Sequence, residues 1–249
     1  MFTSRTLYVD EMKIRTRLIA TFALLSLPNF SLAQSQPPNN GQNEAVITSE
    51  ELRLSAIDKE ANETQFEGKM IKVVGKIRSI SATTDGNATI NFTNVEAHFL
   101  KEANEQIAQL NRGDYITFEC TVRNDEEAVF IQLINCANPV KQIYVTADDY
   151  FNQYENNQIR ADSLFNNKYI IISGIYRMSG TLNDGRHYIG IKAAGDFAEV
   201  TAILEPSMYQ IANDYIKESP NIELYCNAGY RFNAAGTVGL SNCKFLTAY

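Results

Sequence analysis

From residue 48 onward the chain carries one pattern twice, each pass with two cysteines at nearly the same spacing. The first pass has Lys69, Gly75, Cys120 and Cys136; the second has Lys168, Gly174, Cys226 and Cys243. Lysine to glycine is six residues in both, and cysteine to cysteine is 16 and 17. A duplication of this length exceeds any solenoid period, so it predicts two small homologous domains in tandem rather than one large fold.

Ahead of the pattern stands an export leader. Lys13, Arg15 and Arg17 precede the apolar run Leu18 to Leu27, Pro28 ends it, and Ser31-Leu32-Ala33 offers small residues where a signal peptidase cuts. Residues 1–33 are therefore read as a signal peptide cleaved near Ala33, with Met12 an alternative start because Asp10 and Glu11 are acidic where leaders are basic. The run is too short to span a bilayer as a helix. No cysteine stands at the cleavage point to take acyl chains, so no membrane anchor is expected after cleavage. Residues 34–46 are polar and proline-containing and read as a flexible linker. The remainder divides into 47–137 and 138–249.

Loss of residues 1–33 removes four of the 22 basic and two of the 29 acidic residues, leaving 18 and 27, a net charge of −9. Such a chain has no general attraction to phosphate backbones or anionic lipids, which counts against nonspecific nucleic-acid binding.

Each unit opens with an N-cap hydroxyl followed by acids, Thr48-Ser49-Glu50-Glu51 and Thr146-Ala147-Asp148-Asp149, predicting helices of about fifteen residues. Their apolar positions include Leu52, Leu54 and Ile57 in one, and Tyr150, Phe151, Tyr154 and Ile159 in the other. The period then changes to two in Met70–Arg78 and Tyr169–Arg177, each with an internal glycine that predicts a bulge or bend. Turns at Asp85-Gly86 and Asp184-Gly185 lead to strands Ala88–Phe92 and His187–Lys192. Third strands follow at Val95–Leu100 and Ala198–Leu204, then a short helical stretch repeating Gln-Ile-Ala. The last pairs are Tyr115–Val122 with Val129–Leu133, and Ile222–Tyr230 with Thr237–Leu240.

The expected fold class is thus mainly β with flanking helices: two tandem five-stranded OB-like barrels, each with an N-terminal helix and a short helix between strands 3 and 4. The second unit also resembles the exported bacterial anticodon-binding-like (tRNA_anti-like) OB-fold family at Tyr154, Asn157, Ala161, Asp162, Phe165, Lys168, Gly174 and Leu240-Ser241-Asn242-Cys243. The first unit keeps Phe66, Gly68, Lys69, Gly75, Gly113-Asp114 and Leu133-Ile134-Asn135-Cys136, but has Ser55 where the second has Tyr154, and Asn62 where it has Ala161. The resemblance implies a bacterial extracytoplasmic protein. It implies nothing about RNA binding, since function lives in a site rather than a fold.

The cysteines fall on the fourth strand and at the end of the fifth, and the turns lying midway between them bring the sulfurs together across hairpins. Disulfides Cys120–Cys136 and Cys226–Cys243 are expected, each worth roughly 3 kcal/mol in the chain-entropy model. A metal site is the rival reading, but no close Cys-x-x-Cys pair exists and export favours oxidation.

No catalytic set emerges. His98 and His187 occupy unrelated positions, and no nucleophile elbow, phosphate loop or metal-binding helix occurs. No catalytic residue, metal or cofactor is expected. The candidate ligand-binding residues are His187, Tyr188 and Lys192 on the second barrel's second strand, with Arg177 near them on the first strand and Arg78 at the same place in the first barrel. Tyr225, Tyr230 and Phe232 on the last hairpin are read as ring packing within the barrel. The expected function is an exported noncatalytic binding or adaptor protein, periplasmic or secreted, with a protein, glycan or small anion as ligand. The alternatives are an extracytoplasmic nucleic-acid-binding OB protein and an enzyme with a site between the barrels.

Overall fold

The computed structural model describes residues 45–57, 66–123, 131–195, 198–230 and 237–246, all within one compact unit, Asn43–Tyr249. The expected leader, residues 34–44 of the expected linker, and the turns between the paired cysteines lie outside the described residues; the linker's last residue, Val46, instead opens a strand. The first sheet is built from β1 (Val46–Thr48), β2 (Met70–Lys76), β3 (Ser79–Ala82), β4 (Ala88–Phe92), β5 (Val95–Phe99), β6 (Tyr115–Arg123) and β7 (Ile131–Lys141). Helix α1 (Ser49–Ile57) follows β1, and a 3-10 turn with the short helix α2 (Asn104–Ile107) joins β5 to β6. The second sheet is built from β8 (Ile143–Thr146), β9 (Tyr169–Thr181), β10 (His187–Lys192), β11 (Glu199–Leu204), β12 (Asn221–Tyr230) and β13 (Thr237–Phe245). Its helices are α3 (Ala147–Asn156), α4 (Gln158–Phe165) and α5 (Tyr209–Glu218).

In the second sheet β9 pairs with β10, β10 with β11, β11 with β13, β13 with β12, and β12 with β9 again, closing a five-stranded barrel. The first sheet runs β2-β6-β7-β5-β4-β3. Strands β2 and β3 are one interrupted run, with the Arg78 amide donating to the Asn91 carbonyl at 2.8 Å between them. Within each ring only the third and fifth strands are parallel. The chain is therefore mainly β, with one closed five-stranded OB-type barrel and a second sheet that follows the same strand order; each is preceded by a helix and carries a short helix between its third and fourth strands. The strands β1 and β8, which lie parallel to β2 and β9, were not expected from sequence. They are only three and four residues long, below the length at which period-2 alternation is readable.

The first opening helix is described over Ser49–Ile57, and the second departs from the fifteen-residue expectation. Thr48 and Glu51 form a reciprocal capping box, Thr48 N–H to Glu51 Oε2 at 2.7 Å and Glu51 N–H to Thr48 Oγ1 at 3.0 Å. In the second unit the helix is two, because Asn157 adopts an extended backbone and accepts the Arg160 amide on its own side chain at 3.0 Å, restarting the helix as α4. The restart shifts the apolar phase, so Ile159, expected in the core, is 84% exposed. The core positions go instead to Tyr150, Phe151, Ala161 and Phe165.

The repeated glycines are needed for space. A Cβ on Gly75 would stand 2.6 Å from Phe92 Cδ1, and one on Gly174 would stand 2.4 Å from Ile191 Cγ2, both side chains of the facing second strand. Just beyond Gly174, at Ile175, β9 changes partner from β12 to β10, the bend that closes the ring.

Both expected disulfides form, with Cα atoms 4.2 Å apart. In each hairpin one residue opposes two: Cys120 faces Asn135-Cys136 between Glu119↔Ala137 and Thr121↔Ile134, and Cys226 faces Asn242-Cys243 between Tyr225↔Lys244 and Asn227↔Ser241. Asn135 and Asn242 hold φ of 54° and 50°, the left-handed region that asparagine tolerates best after glycine. The repeated Asn-Cys is thus a β-bulge that presents the cysteine to its partner.

Between the rings lies a junction that holds most of the buried charge. Val74, Tyr115, Ile171, Tyr225 and Leu246 form an apolar cluster drawn from both sheets. Lys76 Nζ reaches Glu223 Oε1 at 2.8 Å, and Tyr215 donates to Glu50 Oε1 at 2.5 Å. Lys244, on β13, donates to the Val46 carbonyl at 2.7 Å and to Glu51 at 3.1 Å, with Glu205 at 3.2 Å. Because an ion pair in low dielectric is strong only when its geometry is kept, this network fixes the two rings relative to each other.

Candidate ligand-binding face

Strand β10 alternates as expected, with Ile189 and Ile191 in the core and Tyr188, Gly190 and Lys192 turned outward. The Tyr188 ring lies across Gly180 on β9, where a Cβ would stand 2.7 Å from its Oη. Lys192 is exposed and pairs with Ile175 on one side and Glu199 on the other. Arg177 is exposed and is the unopposed residue of a bulge in β9, since Gly190 pairs with Met178 and Ile191 with Tyr176. That extra residue lets Ile175 and Met178, three apart, both face outward; they are 50% and 43% exposed.

The outer face of β9–β10 therefore joins Arg177, Tyr188 and Lys192 with two exposed apolar side chains that sequence reasoning did not select. The bulge is what hid them, since strict alternation over Gly174–Met178 assigns Ile175 and Met178 to opposite faces. At the centre of this face lies a carboxylate: a Cβ on Gly190 would stand 2.6 Å from the Glu199 carboxyl group, which also accepts from Thr201 Oγ1 at 3.2 Å.

His187 and Arg78 do not join the set. His187 has the parity of the inward residues and sits at the strand's start, its ring 4.1 Å from that of Tyr209. Arg78 lies on the other sheet, exposed, with Nε donating to Thr93 Oγ1 at 3.3 Å. Tyr225 is buried and stacked on Tyr169 at 4.9 Å, and burial, with Tyr169 adding to it, pushes its phenol well above the ordinary value. The Tyr230 side chain and Phe232 lie outside the described residues. His98 stands on β5, Nδ1 3.3 Å from Thr89 Oγ1 and Nε2 3.4 Å from Glu96. Among the described residues no group of His, Cys, Asp or Glu is arranged to hold a metal ion, and no helix is long and apolar enough to cross a membrane.

The residues that carry the family resemblance are engaged elsewhere. The Tyr154 ring packs on Tyr150 at 5.1 Å and on Phe165 at 6.3 Å, Asn157 caps α4, and Ala161 is fully buried. Lys168 donates to the Leu164 carbonyl at 2.7 Å, closing the end of α4. Residues 124–231 match the family model tRNA_anti-like. This part of the chain is similar to the tRNA_anti-like family. The tRNA_anti-like segment takes in β7 through β12, whereas Val46–Arg123 and β13, with Leu240-Ser241-Asn242-Cys243, lie outside the match. In this chain the tRNA_anti-like signature residues hold helix to barrel; none lies on the outer face of β9–β10.

No curated protein matches the sequence. Among solved structures, the chain is similar to a proposed nucleic acid-binding lipoprotein from Klebsiella pneumoniae, at 17% identity and a TM-score of 0.32 over 39% of this chain and 92% of that one. It is also similar to a replication protein A heterotrimer bound to ssDNA, at 11% identity and a TM-score of 0.30 over 76% of this chain and 51% of that one. A third likeness is to the wild-type single-stranded DNA binding protein from Thermus aquaticus, at 13% identity and a TM-score of 0.21 over 72% and 92%. Similarity of this extent does not identify what the tRNA_anti-like segment binds.

Proposed function

We propose that the protein is an exported, noncatalytic binding module. Its signal peptide is 1–33, its tether 34–46, and its two disulfide-clamped domains 47–137 and 138–249. Its partner is a protein that lays an extended segment along the outer face of β9–β10. The observation that carries this reading is the exposed pair Ile175 and Met178, flanked by Arg177 and Lys192 on one continuous ladder. Apolar side chains that stay exposed beside fixed polar neighbours mark contact surfaces more often than isolated ones do. The cations select acidic residues on either side of an apolar anchor.

Export is supported by the paired cysteines, since such bonds persist in oxidising compartments. The absence of catalysis is supported by the scatter of ionisable groups: the two histidines lie on different sheets, and Glu223 is engaged by Lys76.

Nucleic acid is the second reading, favoured by Arg177, Lys192 and Tyr188 sharing one face. The Glu199 carboxylate in its centre weighs against it, because a phosphate backbone would carry its charge across that centre, whereas a peptide can set its apolar anchor there and its acids at the two cations.

Selection of random peptides on the immobilised full chain tests the proposal. Enrichment of acidic, apolar peptides whose binding falls at least about tenfold in Arg177→Glu/Lys192→Glu would support it. Absence of any enrichment, together with binding of a thymidine 20-mer that weakens steeply with salt, would transfer the face to the second reading.

A further inference from the structure

A cleft of about 530 Å³ opens at the end of the β9–β12 pairing, lined by Ser173, Ile175, Ser219, Asn221 and Glu223 among others. Its lining residues all belong to the second barrel, and Glu223 links it to the first sheet through Lys76. Tyr144 donates to or accepts from Ser173 Oγ at 2.7 Å; Ser173 pairs across the strands with Glu223; Glu223 binds Lys76. Lys76 lies over the Tyr115 ring, 5.1 Å from its centroid, and Tyr115 stacks on Tyr144 at 5.4 Å with the planes 5° apart. These contacts make a closed circuit of five residues from both sheets beside the cleft.

Two consequences follow. First, Tyr144 is held by its hydroxyl and by one ring face, yet it is 50% exposed, so a flat aromatic surface is fixed in orientation and open to solvent next to the cleft. A fixed ring loses little freedom on binding, which favours contact with the C–H face of a flat ligand. Second, the cleft has hydroxyls from Ser173 and Ser219 and an exposed Asn221 carboxamide, while its one carboxylate is neutralised by Lys76. Among the described lining residues donors and acceptors are dense and the one carboxylate is paired, a combination that suits a hydroxyl-rich neutral molecule better than an ion.

We propose that this cleft binds a neutral oligosaccharide, its ring lying on Tyr144 and its hydroxyls and amide groups meeting Ser173, Ser219 and Asn221. The cleft shares Ile175 with the β9–β10 face, but Tyr144, Ser219 and Asn221 take no part in that face, so either site can fail without the other.

Titration of the ¹⁵N-labelled full chain with chitotriose tests it. Saturable shifts at Tyr144, Ser173 and Asn221 are expected, with affinity lost by about tenfold or more in Tyr144→Ala and unchanged in Met178→Ala. If Tyr144→Ala does not fold, Ser219→Ala/Asn221→Ala carries the same expectation, since both side chains are on the cleft rim. No saturable shift at the highest soluble chitotriose concentration, shifts elsewhere only, or unaltered affinity in a folded variant of either kind would overturn the proposal.

Discussion

Lys76 Nζ stands 2.8 Å from Glu223 Oε1 across the two barrels, and the two partners are unequally placed: the lysine side chain is 25% exposed, the glutamate 7%. Burial makes an uncompensated charge costly in proportion to how far it is from water. Lys76→Met is therefore expected to destabilise more than Glu223→Gln, because the first leaves a buried carboxylate and the second leaves an ammonium that can turn to solvent. A double-mutant cycle by urea denaturation should give a coupling of roughly 1.5–3 kcal/mol, the range for charge-assisted hydrogen bonds. A coupling near zero would mean that the junction is held by its apolar cluster alone.

The glycine of the bent strand is fixed by contact rather than by φ. Gly174→Ala should cost roughly 1–3 kcal/mol, because its methyl would meet Ile191 Cγ2 at 2.4 Å. Adding Ile191→Ala should cost less than the sum of the two single changes, since it removes the atom that is struck. Thermal unfolding of the four proteins checks this.

The bulge asparagines make a second structural prediction. At Asn135 and Asn242, with φ of 54° and 50°, a glycine should be accepted with little change, whereas alanine should cost roughly 1–2 kcal/mol per site. The alanine variants should also present the neighbouring cysteine less well, seen as slower disulfide formation on refolding.

Acid should act through Asp114. Burial alone would raise its pKa, but the Lys141 ammonium at 2.8 Å and the Asn111 amide outweigh that and hold it below the ordinary value. A depressed carboxyl contributes stability that is present above its unfolded pKa, near ~4, and is lost as pH falls through the folded one. Asp114→Asn should therefore be less stable than the parent at neutral pH by under about 1 kcal/mol, Lys141 being largely exposed. The difference should vanish towards pH ~2, measured by chemical denaturation across that range.

What sequence could and could not disclose follows from the range of each interaction. The bent first strands, the Asp-Gly turns, the caps Thr48 and Thr146 and the cysteine pairs are local or carried by spacing, and all were legible. The helix break at Asn157 was not, because an asparagine's side chain competes with the helix only when the following residues permit a restart. The outward pair Ile175 and Met178 was hidden by the Arg177 bulge, which shifts register without any glycine or proline to announce it. The junction that brings Lys76 to Glu223 joins residues 147 positions apart, and no period or motif encodes such a pairing.

The account's central claim, an extracytoplasmic binder clamped by two local disulfides, is tested most directly by intact mass and disulfide mapping of the protein recovered from periplasm and medium. The account predicts a chain starting at or near Gln34 with Cys120 joined to Cys136 and Cys226 to Cys243. A chain retaining residues 1–33 and four free thiols would contradict it, and would make the cytoplasm the place to look for its ligand.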